Sequence, residues 1–404
     1  MKIGMISTYP AEGARHDYQG GVAAYTKNLV HAIAGNQPQH DIIVIANQIK
    51  GKCVYRETDN VKVIRCWHKG LRFYKEILAT ARKENLDVVH LHQELRLYGE
   101  IYTSFVLLYL LWRLRRQGVK TVITIHGIVA KKLINAKFIK ENNTSFPPFV
   151  VRAGFHIIFC GMCRLADQII VHENFFREVL ISDYKAKPSK VDVVNLGVED
   201  LVPVLTCEQA RKKLKIKKKR VILFFGYVTS YKSPELLLRA FEQYIKQDKD
   251  CLLIIAGGKH PGLMDERKYL NRYHALQRHA RRIGRENVWW YGFVPEDEIE
   301  EVIMAADLLV FPYTVALSTS APLSLALSYQ KPFLLSEQIG TLFSEKSIVF
   351  KSDQEDLTRA IKQFFNRKDC FSAFVSKVRE ERLLKNIAAK TSKLYIKLIN
   401  HSAW

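Results

Sequence analysis

Short, nearly continuous apolar runs recur along the chain, each closed by a polar or glycine-containing stretch. In the first half they are IGMIS, DIIVIAN, VKVIRCW, LDVVHLH, KTVITIHG, QIIVHE and KVDVVNLG. Between them lie segments with apolar positions at helical spacing, such as GLRFYKEILATARKEN. Strands of this kind alternating with amphipathic helices predict a parallel sheet covered on both faces. The second half repeats the pattern with VILFFG, CLLIIAGG, NVWWYGFV, DLLVFPY, KPFLLSE and SIVF, joined by helices that include EDEIEEVIMAA and APLSLALSYQ. The expectation is α/β: two Rossmann-like, doubly wound halves in series, residues 1–200 and 201–385. The boundary falls between Asn195 and Val221, where strand signal lapses into VEDLVPVL and CEQARKKLKI. A last helical pattern begins near Glu380, with apolar Leu383, Leu384, Ile387, Leu394 and Ile396. Residues 386–404 form its terminal helix, expected to pack back on the first half and to carry no site of its own.

Twice a strand-like run breaks at glycine and passes into an amphipathic helix. KIGMIST leads through a loop ending in Gly20 and Gly21 to VAAYTKNLVHAI; RVILFFG ends at Gly226 and leads through YVTSYKS to PELLLRAF. Such a unit lets backbone N–H groups and the positive helix end approach an anion such as a phosphate, although a glycine turn without ligand reads the same. Neither unit is G-x-G-x-x-G, and no acidic residue follows a second strand, so the nicotinamide pattern is excluded.

Ligands of open parallel sheets bind beyond the carboxyl ends of the strands, here the loops at 8–21, 91–99, 126–130, 226–233, 257–264 and 311–321. Lys232 sets a cation just before the helix starting near Pro234, which suits a diphosphate. Ser318, Thr319 and Ser320 precede Pro322 at another helix start; a plain serine cap explains Ser320 but not the hydroxyl run. His126 ends KTVITIHG, where a sugar-contacting or catalytic histidine and a hydrogen-bonded structural one are equally at home. His90 and His92 share one strand face but have no nearby carboxylate or cysteine, so no metal site is expected.

Composition narrows the class. The chain has 404 residues, 48% hydrophobic and 25% charged, without low-complexity stretches, as for an ordinary globular protein of two domains. Seven cysteines without a framework spacing fit a reducing cytosol, and Cys160 and Cys163 read as structural thiols. No apolar segment reaches the roughly 18 residues needed to span a bilayer. Sixty-two Lys and Arg against 40 Asp and Glu leave a charge of +22, which favours anionic partners. Eight of the ten residues Arg211 to Arg220 are basic. No aromatic interleaves them and no recognition module is visible, so nucleic acid is not the expected partner.

In order along the chain, GGVAAYTKNLVHAI, VVHLHQ, TVITIHG, QIIVHENFFREVL, VVNLGVED, LFFGYVTSYKSPELLLRAF, LLIIAGG, NVWWYGFVPEDEIEEVIMAADLLVFPY and LALSYQKPFLLSE resemble the retaining nucleotide-sugar glycosyltransferases of the group 1 type, family four, which have the GT-B fold. The resemblance implies two Rossmann-like domains with an interdomain cleft and transfer of a sugar from a UDP- or GDP-type donor with retention. It implies no obligatory metal or other cofactor beyond the nucleotide-sugar co-substrate. By matched position, Gly20 and Gly21 approach the donor phosphate, His126 contacts the transferred sugar as the catalytic-centre residue, and Lys232 with Gly226 serves the diphosphate. Ser318, Thr319, Ser320 and Leu323 complete the phosphate loop, and Val294 lies where the nucleotide base is held. The usual glutamate pair is replaced by Leu317 and Leu325, the glycine of G-x-P by Gln330, and the partner arginine of the lysine by Tyr227 or Thr229.

Together, these features predict a cytoplasmic enzyme at the inner, anionic membrane face, using a lipid-linked or polysaccharide acceptor. The missing glutamates keep a non-catalytic GT-B binding or scaffold protein as the alternative.

Overall fold

The computed structural model describes residues 1–14, 21–141, 145–315, 320–341, 343 and 345–400. Two compact units emerge: Met1–Gly197 with the helix Leu384–Asn400, and the described residues from Val198 to Leu383.

The first unit holds β1 (Lys2–Ser7), β2 (Asp41–Asn47), β3 (Val54–Thr58), β4 (Val61–Trp67), β5 (Val88–Gln93), β6 (Lys120–Ile125), β7 (Gln168–Val171) and β8 (Val191–Val193), in the order β3-β4-β2-β1-β5-β6-β7-β8. All pairings are parallel except the β3–β4 hairpin. Sequence pattern missed β3: only Tyr55 of its VYRET is buried, so the edge strand carries almost no apolar signal. The central strands β1 and β5 are buried nearly throughout, which accounts for their continuous apolar runs.

Register partners in a parallel sheet share a face. Met5 pairs with His90, His92 with Thr124 and Thr124 with Ile170, so these side chains line one side of the sheet. Two helices cover that side. Gly21–Asn36 contributes Tyr25, Leu29 and Ile33, and Leu384–Asn400 contributes Ile387, Ala388 and Tyr395. The tail helix is therefore a core element of the first unit. Its helical pattern breaks at Leu383, whose ψ of 138° is extended and separates Lys368–Arg382 from Leu384–Asn400. Leu383 and Ile387 are buried as the apolar pattern suggested, but towards the end of the helix Tyr395 is fully buried while Ile396 is 40% exposed.

The second unit has β9 (Arg220–Phe225), β10 (Cys251–Ala256), β11 (Val288–Trp290), β12 (Leu308–Phe311), β13 (Phe333–Ser336) and β14 (Val349–Phe350), all parallel, in the order β11-β10-β9-β12-β13-β14. Strands β1 and β9, the ones that lead into the two glycine loops, sit mid-sheet in their units. Their carboxyl ends thus open onto loops from neighbouring strands on both sides.

Among the described residues one helix, Pro148–Leu165, is long and apolar enough by length and composition to cross a membrane, although no run of this length was expected from the sequence. Proline at its first position starts the helix earlier than the apolar run does. Phe155, Ile158, Phe159 and Met162 face the core, whereas Phe149 and Ile157 are exposed.

Candidate functional site

In the first unit the loop after β1 is held from below. Arg65 is buried and its guanidinium donates to the carbonyls of Tyr9, Pro10 and Asn47. Tyr9 donates to Glu57 at 2.5 Å, and the same carboxylate meets Lys27 at 3.2 Å and His31 at 2.8 Å. Burial pushes the Glu57 carboxyl up, but these hydrogen bonds and the Lys27 ammonium outweigh it and bring the group down to about 2. Lys27 also donates to the Ala14 carbonyl at 2.8 Å. Gly20 lies outside the described residues. Gly21 opens the helix Gly21–Asn36, and a Cβ there would meet nothing within 4 Å, so internal packing does not demand glycine.

His126 follows β6 and is not a lone histidine. Its Nε2 lies 2.9 Å from His92 Nδ1 and its Nδ1 lies 3.0 Å from His172 Nε2. His172 Nδ1 in turn faces the Val194 carbonyl at 3.0 Å. His90, stacked on His92 at 4.7 Å, bonds Tyr395 at 2.5 Å and Thr124 at 2.6 Å. Tyr25 sets its edge against His92, His126 and His172 at 5.0 to 5.5 Å. Burial and the neighbouring rings hold His92 and His126 well below the usual imidazole range, and burial lowers His90 to about 3. These rings are neutral at physiological pH. Both nitrogens of His126 are engaged, so a sugar contact through the ring requires one of them to change partner.

Beside this cluster, Thr8 Oγ1 and both amide atoms of Gln93 are buried without a hydrogen-bond partner. Glu94, next along, has its carboxyl raised by burial. Orphaned polar groups at the strand ends mark a place built for more than packing. None of these residues was singled out by sequence, because an unpaired amide is visible only once its surroundings are known.

In the second unit three expected residues converge. Gly226 has φ +113°, and a Cβ on it would lie 2.8 Å from Lys232 Nζ and 3.0 Å from Pro322 Cγ. Glycine is thus required by the backbone, and a Cβ would also displace the Lys232 ammonium. Lys232 is 7% exposed, and among the described residues no carboxylate pairs with it; its ammonium sits 5.7 Å from the Tyr313 ring centre and 6.0 Å from that of Tyr231. Burial lowers its pKa to about 8. Ser320 stands at the cap position of the helix Ala321–Ser328, yet it makes no cap and its Oγ lies 3.1 Å from the Tyr313 hydroxyl. The plain serine-cap reading therefore fails, and the Ser320 side chain leaves the first-turn N–H groups of that helix uncapped. Thr229, one candidate replacement for the family arginine, has its buried hydroxyl unpartnered. A helix start that Ser320 does not cap, a glycine surface and a buried cation with no carboxylate partner among the described residues are the features that favour an anion.

Ser318, Thr319 and Leu317 fall outside the described residues. Leu323 is 1% exposed, so its side chain belongs to the core and only its backbone is available to a ligand; Leu325 is half-buried. Val294 is buried as well, whereas its neighbour Phe293 is 62% exposed and stacks near Tyr227, which also meets His260. The aromatic surface near the expected base position is therefore Phe293 and Tyr227 rather than Val294.

Among the described residues no group of three or more His, Cys, Asp and Glu is arranged to hold a metal. Burial raises both Cys160 and Cys163, the latter to about 12, as for inert structural thiols.

Residues 19–200 match the model of the Glycosyltransferase Family 4 domain and residues 207–380 that of Glycosyl transferases group 1. A D-inositol 3-phosphate glycosyltransferase from Corynebacterium aurimucosum is 26% identical over 77% of this chain and 74% of its own. Several other curated relatives are matched over only 20–42% of their own length. Of solved structures, sucrose-phosphate synthase from Thermosynechococcus elongatus superposes with TM-score 0.76 at 18% identity, covering 99% of both chains. Anabaena HepE in complex with UDP does so with TM-score 0.68 at 14% identity, over 98% of this chain and 100% of the other. At such identities the structures speak for the fold, which is GT-B.

Proposed function

The chain belongs to the group 1 glycosyltransferases, with a family 4 first half, and from that premise we propose that it transfers a sugar from a UDP- or GDP-type nucleotide sugar to a glycan or lipid-linked acceptor, with retention of configuration. One observation carries this reading: the buried Lys232 ammonium, paired by no carboxylate among the described residues, lies against the bare Gly226 backbone beside the helix Ala321–Ser328, which the Ser320 side chain leaves uncapped. A leaving nucleoside diphosphate gains negative charge as its bond to the sugar breaks. A fixed cation and free N–H groups stabilise that charge more than the ground state, which is what lowers a barrier. The glutamates absent at Leu317 and Leu325 are then replaced by loop amides and hydroxyls. Phe293 and Tyr227 offer a surface for the base, and the UDP complex of a neighbour in fold supports a uridine nucleotide.

The acceptor falls to the first unit, with His126 at the transferred sugar. A peripheral site at the inner membrane face accords with the charge of +22 and with the exposed aromatic stripe Phe105, Tyr109 and Trp112, over which Arg113 and Arg116 lie. Incubating the protein with a panel of UDP- and GDP-sugars and scoring nucleotide release and thermal stabilisation tests the reading. Release with one donor, lost on Lys232→Ala with the fold intact, is the expected result. Donor-induced stabilisation without turnover, together with unchanged biological activity in Lys232→Ala and His126→Ala, favours the scaffold reading instead. Silence towards every donor counts against both.

A further inference from the structure

A dense group of cations gathers at one edge of the second unit. Parallel strands start at a common edge, and the segments that precede β9, β10 and β11 lie there side by side. One side chain ties the three together: Lys218, half-buried, donates to the Lys249 carbonyl at 2.5 Å and to Asn287 Oδ1 at 3.4 Å. The Lys219 N–H donates to Asp250 Oδ1 at 3.1 Å. The helices Pro234–Tyr244 and Arg267–Ile283, which return the chain between these parallel strands, end at the same edge. Lys217, Lys246, Lys249, Arg281, Arg282 and Arg285 are exposed around these loops, and none of the six has an ion-pair partner among the described residues. Carboxylates of the same edge scarcely offset them: Asp248 is bound by Arg220, Asp250 faces Lys219 at 4.0 Å, and Glu286, which accepts from the Asn287 amide, is left against six cations. Arg281 and Arg282 stand in the last turn of a helix, where a cation answers the dipole. That accounts for two arginines but not for the lysines of the other two loops. Exposed charges of one sign repel one another, a cost that an anionic partner removes.

We propose that this edge is a docking surface for an anionic phospholipid leaflet, so that the second unit makes a membrane contact of its own. The inference rests on the inner-membrane reading above and adds an electrostatic contact to the aromatic stripe of Thr103–Arg116. The six charges are carried on three loops and two helix ends, a spread that a plane of headgroups meets at once and a single phosphate does not. Residues 217–219, 246–250 and 281–287 include no aromatic side chain on which a nucleic-acid base could stack. Gly226 and Lys232 follow the opposite, carboxyl end of β9, so a leaflet against this edge leaves the proposed diphosphate site uncovered.

Co-sedimentation of the full chain with vesicles of phosphatidylcholine, alone or mixed with phosphatidylserine, tests the proposal. A cation beside an anionic leaflet strengthens binding about fivefold. Lys217→Gln, Lys249→Gln and Arg285→Gln together should therefore weaken binding to the phosphatidylserine vesicles by about tenfold or more. A similar loss should follow in the wild type when salt rises from about 0.1 to 1 M, which shortens the screening length from about 10 to 3 Å. Lys50→Gln, Lys69→Gln and Lys351→Gln together remove the same charge from exposed positions elsewhere and should leave binding nearly unchanged. Wild-type binding to both kinds of vesicle alike, an edge variant that binds as the wild type does, or an equal loss in the control variant overturns the proposal. So does tighter binding of mixed-sequence RNA than of anionic vesicles, lost in the edge variant, which would give the surface to nucleic acid. Should the edge variant not fold, Lys246→Gln with Arg281→Gln and Arg282→Gln probes the same edge. Vesicle binding that is lost on replacing Phe105 and Trp112 but kept in the edge variant preserves the inner-membrane reading and overturns this one. The assay needs neither donor nor turnover, so its failure is distinct from a failure of the transferase reading.

Discussion

Lys232 is the residue whose chemistry is most directly open to measurement. Its pKa of about 8 lies below the usual lysine value because the folded chain buries the ammonium without a counter-ion. The sign follows from linkage. A lysine lowered in the folded state favours the neutral form, so folding carries a penalty below pH 8, of roughly 3 kcal/mol for a shift of this size, that fades as pH rises towards 10.5. A bound diphosphate favours the charged form and raises the pKa again. Affinity for UDP should therefore weaken above pH 8 by up to about tenfold per unit, with proton uptake on binding seen by calorimetry in buffers of different ionisation heat. A flat profile from pH 7 to 10, or one unchanged in Lys232→Met, would remove Lys232 from the anion site. Gly226→Ala should cut UDP affinity by at least about tenfold, since a Cβ lands 2.8 Å from Lys232 Nζ and the φ of +113° is strained for alanine. Gly226 and Lys232 were legible in the sequence because only five residues of loop join them. The histidine chain was not: its links run from 92 to 126 to 172 across separate strands, and sequence spacing carries no trace of a bond between them.

At the level of elements, sequence pattern served best where burial is two-sided. Strands β1, β2, β5 and β10 read as apolar runs because almost every residue is covered, whereas edge strand β3 escaped notice. Helices confuse the pattern when they carry apolar residues on the wrong side. Thr103–Arg116 buries Leu107, Leu110, Leu111 and Leu114, yet Phe105, Tyr109 and Trp112 are each exposed by about 40% on another face. The rings of Tyr109 and Trp112 lie 5.7 Å apart, with the Arg113 and Arg116 guanidinium groups 5.6 and 5.5 Å from their respective centres. Aromatic rings with basic tips suit the boundary between acyl chains and anionic headgroups. Trp112→Ser with Phe105→Ser should lower co-sedimentation with vesicles containing phosphatidylserine by about tenfold or more while the protein stays folded with a modestly lower melting temperature, because more than half of each side chain is buried. Equal binding by the variant would assign the stripe no part in membrane contact.

Across the molecule, the excess of 22 positive charges is not a free basic stripe. In the run from 211 to 220, Arg211 pairs with Asp307, Lys213 with Glu301 and Arg220 with Asp248, so part of it is bound into the second unit. The molecule also carries two strand–glycine–helix units, and their shared pattern hides a difference. The loop after β9 brings to its glycine a buried cation with no carboxylate partner among the described residues, while beside the first loop Lys27, on the helix Gly21–Asn36, is bound to Glu57 and the Ala14 carbonyl. A nucleoside diphosphate should therefore act on the second unit. Ligand at a hundred times its Kd stabilises the structure that binds it by about 2.7 kcal/mol, and in a chain of two units that gain need not spread evenly. Hydrogen exchange read by mass spectrometry should show UDP slowing amides in residues 226–236 and 320–328, with β2 and β4 unchanged. Protection confined instead to the start of the helix Gly21–Asn36 would move the principal phosphate site to the first glycine loop and leave Lys232 as a structural cation.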